Sequence, residues 1–449
     1  MAHYNNLGGK EANNHCIITT ICGDVKGSVK QRPVYRNLCL LSVIFGFSVG
    51  LLLGILLPFV YLKDTPKNST YPSNYVNTSA AIRTIFLNNS YGNKNYTKQD
   101  SNVHPTVSFV DRFNNYPDDK LIENGIYWGS KIEKSLPEGY LEKKHESWTN
   151  YVQTGIAVKL EGGCGRMQNR LVTFQDGLQG CVRYRQNTDQ IQGELFSFYL
   201  AQILKLSNLA PSTVSTVNLK SPLWQNLATE IAAAQWNSNR PVVLTQYISD
   251  LDSANIPSVF KPVERHLNKY DVLNMTGNNV NVLDNGIVIK NLVELAQWSD
   301  LIIFDYLTAN LDRIVNNLYN YQWNVNIMDA PAHNLAKKVD TNLLIFLDNE
   351  SGLLHGYRLL KKYEIYHSVL LDNLCLFRKQ TVDIIKDLRN NKNVGTLLRN
   401  MFEERNDPQV KDVLPTLPDK SIKILNERIE KVYNQIIKCE SMYSEGNQT

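Results

Sequence analysis

The sequence predicts an α+β fold with two lobes, a small strand-rich lobe followed by a larger helical lobe, behind a single N-terminal membrane-spanning helix. An uncharged apolar run lies near the N-terminus of the 449-residue chain. Strand candidates come first in the part that follows, and long helical patterns dominate later, which indicates that the two kinds of element form separate layers. The chain is long enough for one large domain or two ordinary ones.

Residues 38–62 form the predicted span, twenty-five residues without a charge. This length exceeds the roughly 20 residues that a helix needs to cross a bilayer. More cationic residues lie before the run than close behind it, so the positive-inside rule places residues 1–37 in the cytosol and the rest in the lumen. A cleaved signal peptide is the alternative, and the 37-residue leader disfavours it.

Residues 63–121 are rich in Asn, Ser, Thr, Tyr and Pro, which predicts a lumenal stem without a core. Asn-X-Ser/Thr sequons cluster there and predict glycosylation. The predicted glycosylation sites are Asn68, Asn77, Asn88 and Asn95. We attribute the sequons at Asn274, Asn349 and Asn447 mainly to chance. The folded domain is expected to span residues 122–443, with residues 444–449 as a tail.

Four cysteines follow the span, Cys164, Cys181, Cys375 and Cys439. In an oxidising lumen they predict two disulfides, with three possible connectivities. We favour Cys164 with Cys181 and Cys375 with Cys439, because the members of each pair are close in sequence. The spacing is not that of a zinc site. The net charge of +4 forms no basic blocks, so nucleic acid is not an expected partner.

Alternation and turn residues predict strands at residues 156–160, 170–174 and 180–184, with a tight turn at residues 175–177. The apolar spacing of residues 190–206 then predicts a helix with one buried face. A strand-rich segment is therefore followed directly by a helix.

Further along, residues 241–249 read as a buried strand and residues 292–310 as a mostly apolar helix. A second apolar strand ends at Asp348, and residues 421–438 carry the last strong helical pattern. These elements give the second part of the chain its helical character.

A glycine cluster between strand candidates contains Gly162, Gly163 and Gly165. Glycine lets backbone N–H groups approach a phosphate, although glycines in a strand connection are more often turn formers. Arg183 follows on a strand candidate and Glu194 on the next helix. Protein kinases use a glycine loop, a strand cation and a helix glutamate in this order. The alternative is that both charged residues are solvated.

Lys159 is a competing strand cation, because its AVKL context resembles the usual kinase lysine motif. It precedes the glycines, however, and we favour Arg183. Gln246 and Tyr247, in the buried strand candidate after the first helix, complete the predicted nucleotide contacts together with the three glycines and Arg183.

In the segment NLDRIVNN, Asp312 is followed at five positions by Asn317. A kinase catalytic loop needs a carboxylate to accept the proton of the attacking hydroxyl and an Asn at this offset to hold metal. Asp348 ends an apolar strand, where a kinase places its metal-binding aspartate. Glu350 is expected either to assist the metal or to cap a turn.

Four longer segments carry a family resemblance: LEGGCGRMQNRLVTFQDG, CVRYRQNTDQIQGELFSFYLAQIL, FDYLTANLDRIVNNLYNYQW and FLDNESGLLHGYR. Together they resemble the Four-jointed family of Golgi kinases. The resemblance runs from about Asn124 to the C-terminal helix and does not cover the stem or the cytosolic tail. It implies an atypical protein-kinase-like fold that uses ATP with Mn²⁺ or Mg²⁺.

By this resemblance Asp312 is the catalytic base, Asp348 the metal ligand, Glu194 the helix glutamate and Arg183 the strand cation. Asn317 occupies the position of a conventional second metal ligand, where related Golgi kinases differ. Arg183 stands where kinases have lysine, and DNE stands where they have DFG. The geometry of phosphate binding is therefore expected to differ from that of conventional kinases.

The resemblance implies phosphorylation of Ser or Thr in extracellular cadherin repeats of Fat- and Dachsous-like proteins, with roles in planar polarity and growth. The expected location is the Golgi membrane with type II topology, and stem cleavage would release a soluble form. The alternatives are a pseudokinase that activates a partner, a Golgi sugar kinase, and a glycosyltransferase with a DxD site at residues 250–252.

Overall fold

The structure is a computed structural model that describes residues 120–262, 266–276 and 286–443. The predicted cytosolic tail, the predicted span, the stem up to residue 119 and the tail at residues 444–449 lie outside the described residues. So do the four predicted glycosylation sites, Asn68, Asn77, Asn88 and Asn95. Within the described ranges, no helix combines the length and the apolar character that crossing a bilayer requires.

The described elements before residue 250 are mostly strands. They are β1 (Ile122–Glu123), β2 (Tyr127–Trp128), α1 (Ser130–Ser135), α2 (Glu142–Thr154), β3 (Ala157–Gly162), β4 (Arg170–Phe174), β5 (Gln179–Tyr184), α3 (Thr188–Ile203), β6 (Ser212–Thr216), α4 (Ala228–Ala233) and β7 (Pro241–Gln246).

The elements after residue 250 are mostly helices. They are β8 (Leu251–Asn255), α5 (Lys269–Thr276), α6 (Gly286–Thr308), α7 (Ile314–Asn320), β9 (Pro331–Lys338), β10 (Leu344–Phe346), α8 (Leu354–Asp372), α9 (Lys379–Asn391), α10 (Val394–Arg405), α11 (Pro408–Val413) and α12 (Asp419–Tyr443). The predicted α+β class is confirmed.

A five-stranded antiparallel sheet has the order β3-β4-β5-β7-β6. Side chains alternate between its faces with period two, as β5 illustrates, where Val182 and Tyr184 are buried and their neighbours are less so. Helix α3 follows β5 directly and packs against β7 and β6. This arrangement places the end of β5 and the first turns of α3 side by side.

A second sheet has the order β10-β9-β8 and joins the helical part of the chain. Its strand β10 is fully buried and ends two residues before Asp348. The short apolar strand therefore brings Asp348 to a fixed position at the edge of the sheet.

Two hydrophobic cores hold the described residues together. One lies on the five-stranded sheet and contains Trp148, Phe174 and Trp224. The larger one surrounds α6, which is mostly buried from Leu292 to its end and contributes Trp298 and Phe304. Burial of such large side chains stabilises each part by about 1.5–3 kcal/mol per residue.

Both predicted disulfides are present. Cys164, in the loop after β3, is joined to Cys181 in β5, with the Cα atoms 5.7 Å apart. Cys375, before α9, is joined to Cys439 in α12, with the Cα atoms 5.2 Å apart. The first bond fixes the glycine-containing loop to the sheet, and the second fixes the C-terminal helix to the helical core.

Candidate active site

A cleft of about 780 Å³ lies between the five-stranded sheet and the segments that follow α6 and β10. It is lined by most of the residues that the sequence suggested for chemistry. These are Gly165, Arg183, Glu194, Gln246, Tyr247, Asp312 and Asp348. Gly162, Gly163 and Asn317 are not among the lining residues.

The loop between β3 and β4 forms one wall of the cleft. It turns at Cys164 and Gly165, which have φ angles of +59° and +86°. A φ of this sign is natural for glycine, and a side chain at Gly165 would be strained although no atom lies in its way. Asn169 Nδ2 donates to the Cys164 carbonyl at 2.7 Å, so the turn is held from within the loop as well as by its disulfide.

Arg183, on β5, lies at the centre of the polar wall. Its Nη1 is 2.6 Å from Asp348 Oδ1 and 2.7 Å from Glu350 Oε2, and its Nε is 3.5 Å from Glu194 Oε2. Burial opposes the charge of Arg183, but the surrounding carboxylates raise its pKa above the usual value. Burial likewise raises the pKa of Glu194, while the charge of Arg183 opposes that change.

Glu350 is the second centre of the network, and its side chain is 1% exposed. It accepts hydrogen bonds from Arg166 at 2.6 Å, Arg183 and Arg185 at 2.7 Å, and Gln190 at 3.1 Å. Both of its oxygens are therefore engaged by the protein itself. Glu350 thus joins the β3–β4 loop, β5 and α3.

Asp312 begins the segment that leads into α7, and like Arg183 it lines the cleft. Its backbone N–H donates to Asn310 Oδ1 at 3.0 Å, which fixes the turn. Burial and the charge of Asp348 raise the pKa of Asp312 above its ordinary value, and Arg166 opposes this shift. A carboxylate with a raised pKa is a better proton acceptor.

Asn317 is placed differently from the expectation. It is buried, and its Nδ2 donates to the Ile327 carbonyl at 3.2 Å, away from the cleft. Because α7 begins at Ile314, neighbouring residues point about 100° apart around its axis. Asn316 is the asparagine of α7 that lines the cleft. The residue five positions after Asp312 therefore lies in the interior of the protein.

Arg313 was not singled out from the sequence, although it stands beside Asp312. It is fully buried, forms an ion pair with Asp305, and donates to Asn349 Oδ1 at 2.6 Å and to the Leu347 carbonyl at 2.9 Å. It therefore fixes the Asp312 segment to the segment that carries Asp348. The side chain of the sequon asparagine Asn349 is engaged in this hydrogen bond and is buried.

Asp348 has a φ of +51°, in the left-handed region that Asp and Asn enter more readily than most residues. No group of three or more His, Cys, Asp or Glu side chains within the described ranges is arranged to hold a metal ion. Mg²⁺ sites on nucleotides often use one or two protein carboxylates and complete their shell with phosphate oxygens and water. Three carboxylates line the cleft, those of Glu194, Asp312 and Asp348, and Asp348 alone would suffice for that arrangement.

The DLD segment lies at the edge of the same cleft. Leu251 lines the cleft, whereas Asp252 is an exposed residue of β8. The cleft-lining side chain of this segment is therefore apolar, which gives no support to a paired-aspartate metal site.

Comparison with known proteins points to one family. The family model of the Four-jointed box protein middle domain matches residues 143–442. The Drosophila melanogaster protein named extracellular serine/threonine protein kinase four-jointed is 52% identical over 358 residues, covering 71% of this chain and 61% of the relative. Four-jointed box protein 1 of Xiphophorus maculatus is 37% identical over 324 residues, covering 72% of this chain and 73% of the relative.

This chain therefore matches less than two thirds of the length of the Drosophila relative. Among solved structures, the crystal structure of the Golgi casein kinase is similar with a TM-score of 0.45 and 14% identity. That similarity covers 86% of this chain and 94% of the other.

Proposed function

The chain belongs to the Four-jointed box family, and from this we propose that it is an ATP-dependent protein kinase that phosphorylates Ser or Thr. The observation that carries the proposal is that Arg183, Asp312 and Asp348, which are far apart in sequence, line one cleft. Its volume of about 780 Å³ lies within the usual range for small-molecule sites. The Drosophila relative, named a serine/threonine protein kinase, supports the same activity.

In this proposal the nucleotide lies along the cleft with its base near Gln246 and Tyr247, at the end of β7. The phosphates extend toward Gly165 and Arg183. Glu194 keeps Arg183 oriented, because the two side chains are paired and mostly buried. The catalytic side chains are thus positioned by the protein before substrate arrives, which is the main source of rate enhancement in phosphoryl transfer.

Mn²⁺ or Mg²⁺ held by Asp348 and phosphate oxygens would neutralise the negative charge of the phosphates. Asp348 lines the cleft, and Arg313 holds the neighbouring residue Asn349. Asn316 lines the cleft nearby, and its amide oxygen already accepts a hydrogen bond from Asn320 Nδ2 at 3.0 Å.

The transfer itself is a displacement at the γ-phosphorus. The acceptor hydroxyl oxygen forms a bond to phosphorus while the bond from phosphorus to the β,γ-bridging oxygen breaks, and its electron pair leaves with ADP. The hydroxyl proton passes to the carboxylate of Asp312. Burial and Asp348 raise the pKa of that carboxylate, so it accepts the proton more readily.

The proposed acceptors are Ser and Thr of extracellular cadherin repeats of Fat- and Dachsous-like proteins, with an effect on planar polarity and growth. We place the enzyme at the Golgi membrane with its catalytic part in the lumen. The family relationship supports this assignment, as does the word extracellular in the name of the Drosophila relative. Two disulfides also fit an oxidising compartment.

The test is transfer of labelled γ-phosphate from ATP by the purified full chain to a panel of cadherin repeats, with Asp348→Ala as the blank. We expect labelled Ser or Thr that is lost in the variant. Labelling of a glycan instead of protein would indicate a sugar kinase. ATP binding without transfer to any acceptor would indicate a pseudokinase and would refute the proposed activity.

A further inference from the structure

Three arginines surround Glu350, and they differ in how much of each side chain is exposed. The exposed fraction is 3% for Arg185 and 14% for Arg183, but 52% for Arg166. Arg183 and Arg185 are therefore enclosed by the protein, and Arg183 lines the cleft. Arg166 reaches the same carboxylate from the solvent side, on the loop between β3 and β4.

The contacts of the three side chains differ in the same way. Arg183 also pairs with Asp348, and Arg185 also donates to Asn169 and to a backbone carbonyl. Arg166 contacts Glu350 through Nη1. If Arg166 moves away, Glu350 keeps its bonds from Arg183 and Arg185, so no buried charge is left without a partner.

The backbone around Arg166 is held while its side chain is half exposed. Cys164, two residues before it, is tied to β5 by a disulfide, and Asn169, three residues after it, binds the Cys164 carbonyl. A fixed backbone limits where the guanidinium can go. The guanidinium can therefore reach only the cleft, which Arg166 already lines.

Arg166 and Asp312 line the same cleft, and the positive charge of Arg166 favours the ionised form of the Asp312 carboxylate. Both side chains therefore border the space in which, under the proposed function, an acceptor hydroxyl would meet a phosphoryl group. A guanidinium there can contact two phosphoryl oxygens at once through its planar fork.

We propose that Arg166 is a catalytic residue, which leaves Glu350 and binds the γ-phosphoryl oxygens during transfer. The inference rests on the proposed function and extends it. Arg166 supplies positive charge to the transferring group from within the same chain, as an arginine finger does in other phosphoryl-transfer enzymes. Glu350 holds the side chain ready when no nucleotide is bound.

The experiment compares the full chain with its Arg166→Gln and Arg166→Lys variants. The matched control is Arg358→Gln, which removes an arginine of equal exposure that pairs with Asp189 on the surface. Equilibrium affinities for ATP and for ADP are measured in the presence of Mn²⁺, together with single-turnover phosphate transfer. Comparison of ATP with ADP isolates the contact to the γ-phosphate.

We expect Arg166→Gln to lower the transfer rate by roughly a hundredfold or more. It should weaken ATP binding severalfold and leave ADP binding unchanged, with Arg166→Lys intermediate and Arg358→Gln like the parent chain. Equal loss of ATP and ADP affinity, or an unchanged transfer rate, would overturn the assignment. A parent chain that transfers nothing refutes the proposed activity. The change in the ratio of ATP to ADP affinity from the parent chain to Arg166→Gln still decides whether Arg166 contacts the γ-phosphate.

Discussion

Two buried charge networks of this molecule use the same residue types for different ends. The cleft network consists of Arg166, Arg183, Arg185, Glu194, Asp348 and Glu350. The helical network consists of Glu133, Asp300, Arg378 and Thr381, and joins α1, α6 and the start of α9. Four members of the cleft network line the cleft, namely Arg166, Arg183, Glu194 and Asp348, whereas none of the helical network does.

The difference lies in what each carboxylate faces. Asp300 is 1% exposed and is satisfied by Arg378 at 3.0 Å and Thr381 at 2.6 Å. Asp348 shares its arginine with two other carboxylates and borders open space. The helical network is closed, so its loss is a loss of stability. The cleft network is open to ligands, so its loss is expected to be a loss of activity.

The largest expected effect is on catalysis. Asp312→Asn removes the proposed proton acceptor and should lower the transfer rate roughly a hundred- to ten-thousandfold. Its melting temperature should stay near that of the parent chain, because Asp312 borders the cleft and burial disfavours its charge. Labelled phosphate transfer and thermal unfolding on the same preparations check both parts. Normal turnover in this variant would contradict the assignment of Asp312.

The next effect is on stability. Arg378→Leu leaves Asp300 buried without its cation and should destabilise the fold by about 3–5 kcal/mol. Denaturant unfolding followed by tryptophan fluorescence measures this. Arg358→Leu, which breaks a solvent-exposed pair with Asp189, is the control and should cost less than about 1 kcal/mol. An equal loss of unfolding free energy in the two variants would contradict the distinction between the closed, buried pair and the exposed pair.

The buried residue His145 extends the comparison, because its titration makes the free energy of unfolding depend on pH. Burial lowers the pKa of His145 to about 4, where its ring packs edge-on against Phe198. Its folded pKa lies below the unfolded value of about 6.5, so its contribution is complete above that pH and is lost as the pH falls toward 4. Between pH 7 and pH 5 the loss is about 2 kcal/mol.

The measurement is the free energy of unfolding at pH 7 and at pH 5 for the parent chain and for His145→Phe. The variant lacks the imidazole and should lose less stability on acidification. An identical loss in both proteins would show that His145 is not the source of the pH dependence.

The smallest effect separates the two disulfides. The double variant Cys164→Ser with Cys181→Ser frees the loop that borders the cleft. If ATP binding must then order one released residue, at a cost of about 1 kcal/mol, the KM for ATP should rise severalfold. Cys375→Ser with Cys439→Ser should instead lower stability by about 2–4 kcal/mol without changing KM. Initial rates at varied ATP, together with unfolding curves, check both variants. A KM rise in the second variant would contradict the division of roles.

Much of the fold could be predicted from apolar periodicity. Helix α3 and the last helix α12 lie within a few residues of their predicted ranges, because each has a clear buried face. Strand β4 matches its predicted range fully. Helix α2 and strands β8 and β9 carry mostly polar residues, so their periodicity gave no signal, and tertiary contacts decide their structure.

The candidate site could be predicted where a motif sets the position of a residue along one element. Arg183, Asp312 and Asp348 each end or follow such an element, and the structure brings them into one cleft. The contact between Arg166 and Glu350 joins residues 184 positions apart, and no local pattern specifies it. The count of residues from Asp312 does not fix where α7 begins, and Asn317 lies in the interior, so its metal-binding role stays a prediction.

The burial of Asn349 has a consequence for how the chain is made. Asn349 begins an Asn-Glu-Ser sequon and is 2% exposed, and its side-chain oxygen accepts a hydrogen bond from Arg313. If the chain enters the secretory pathway as proposed, oligosaccharide transfer competes with folding for this side chain. A chain that folds first hides the acceptor, whereas a glycan attached first could not fit the finished interior. The order of folding and glycan attachment at Asn349 would then decide which molecules reach the folded state and which are degraded.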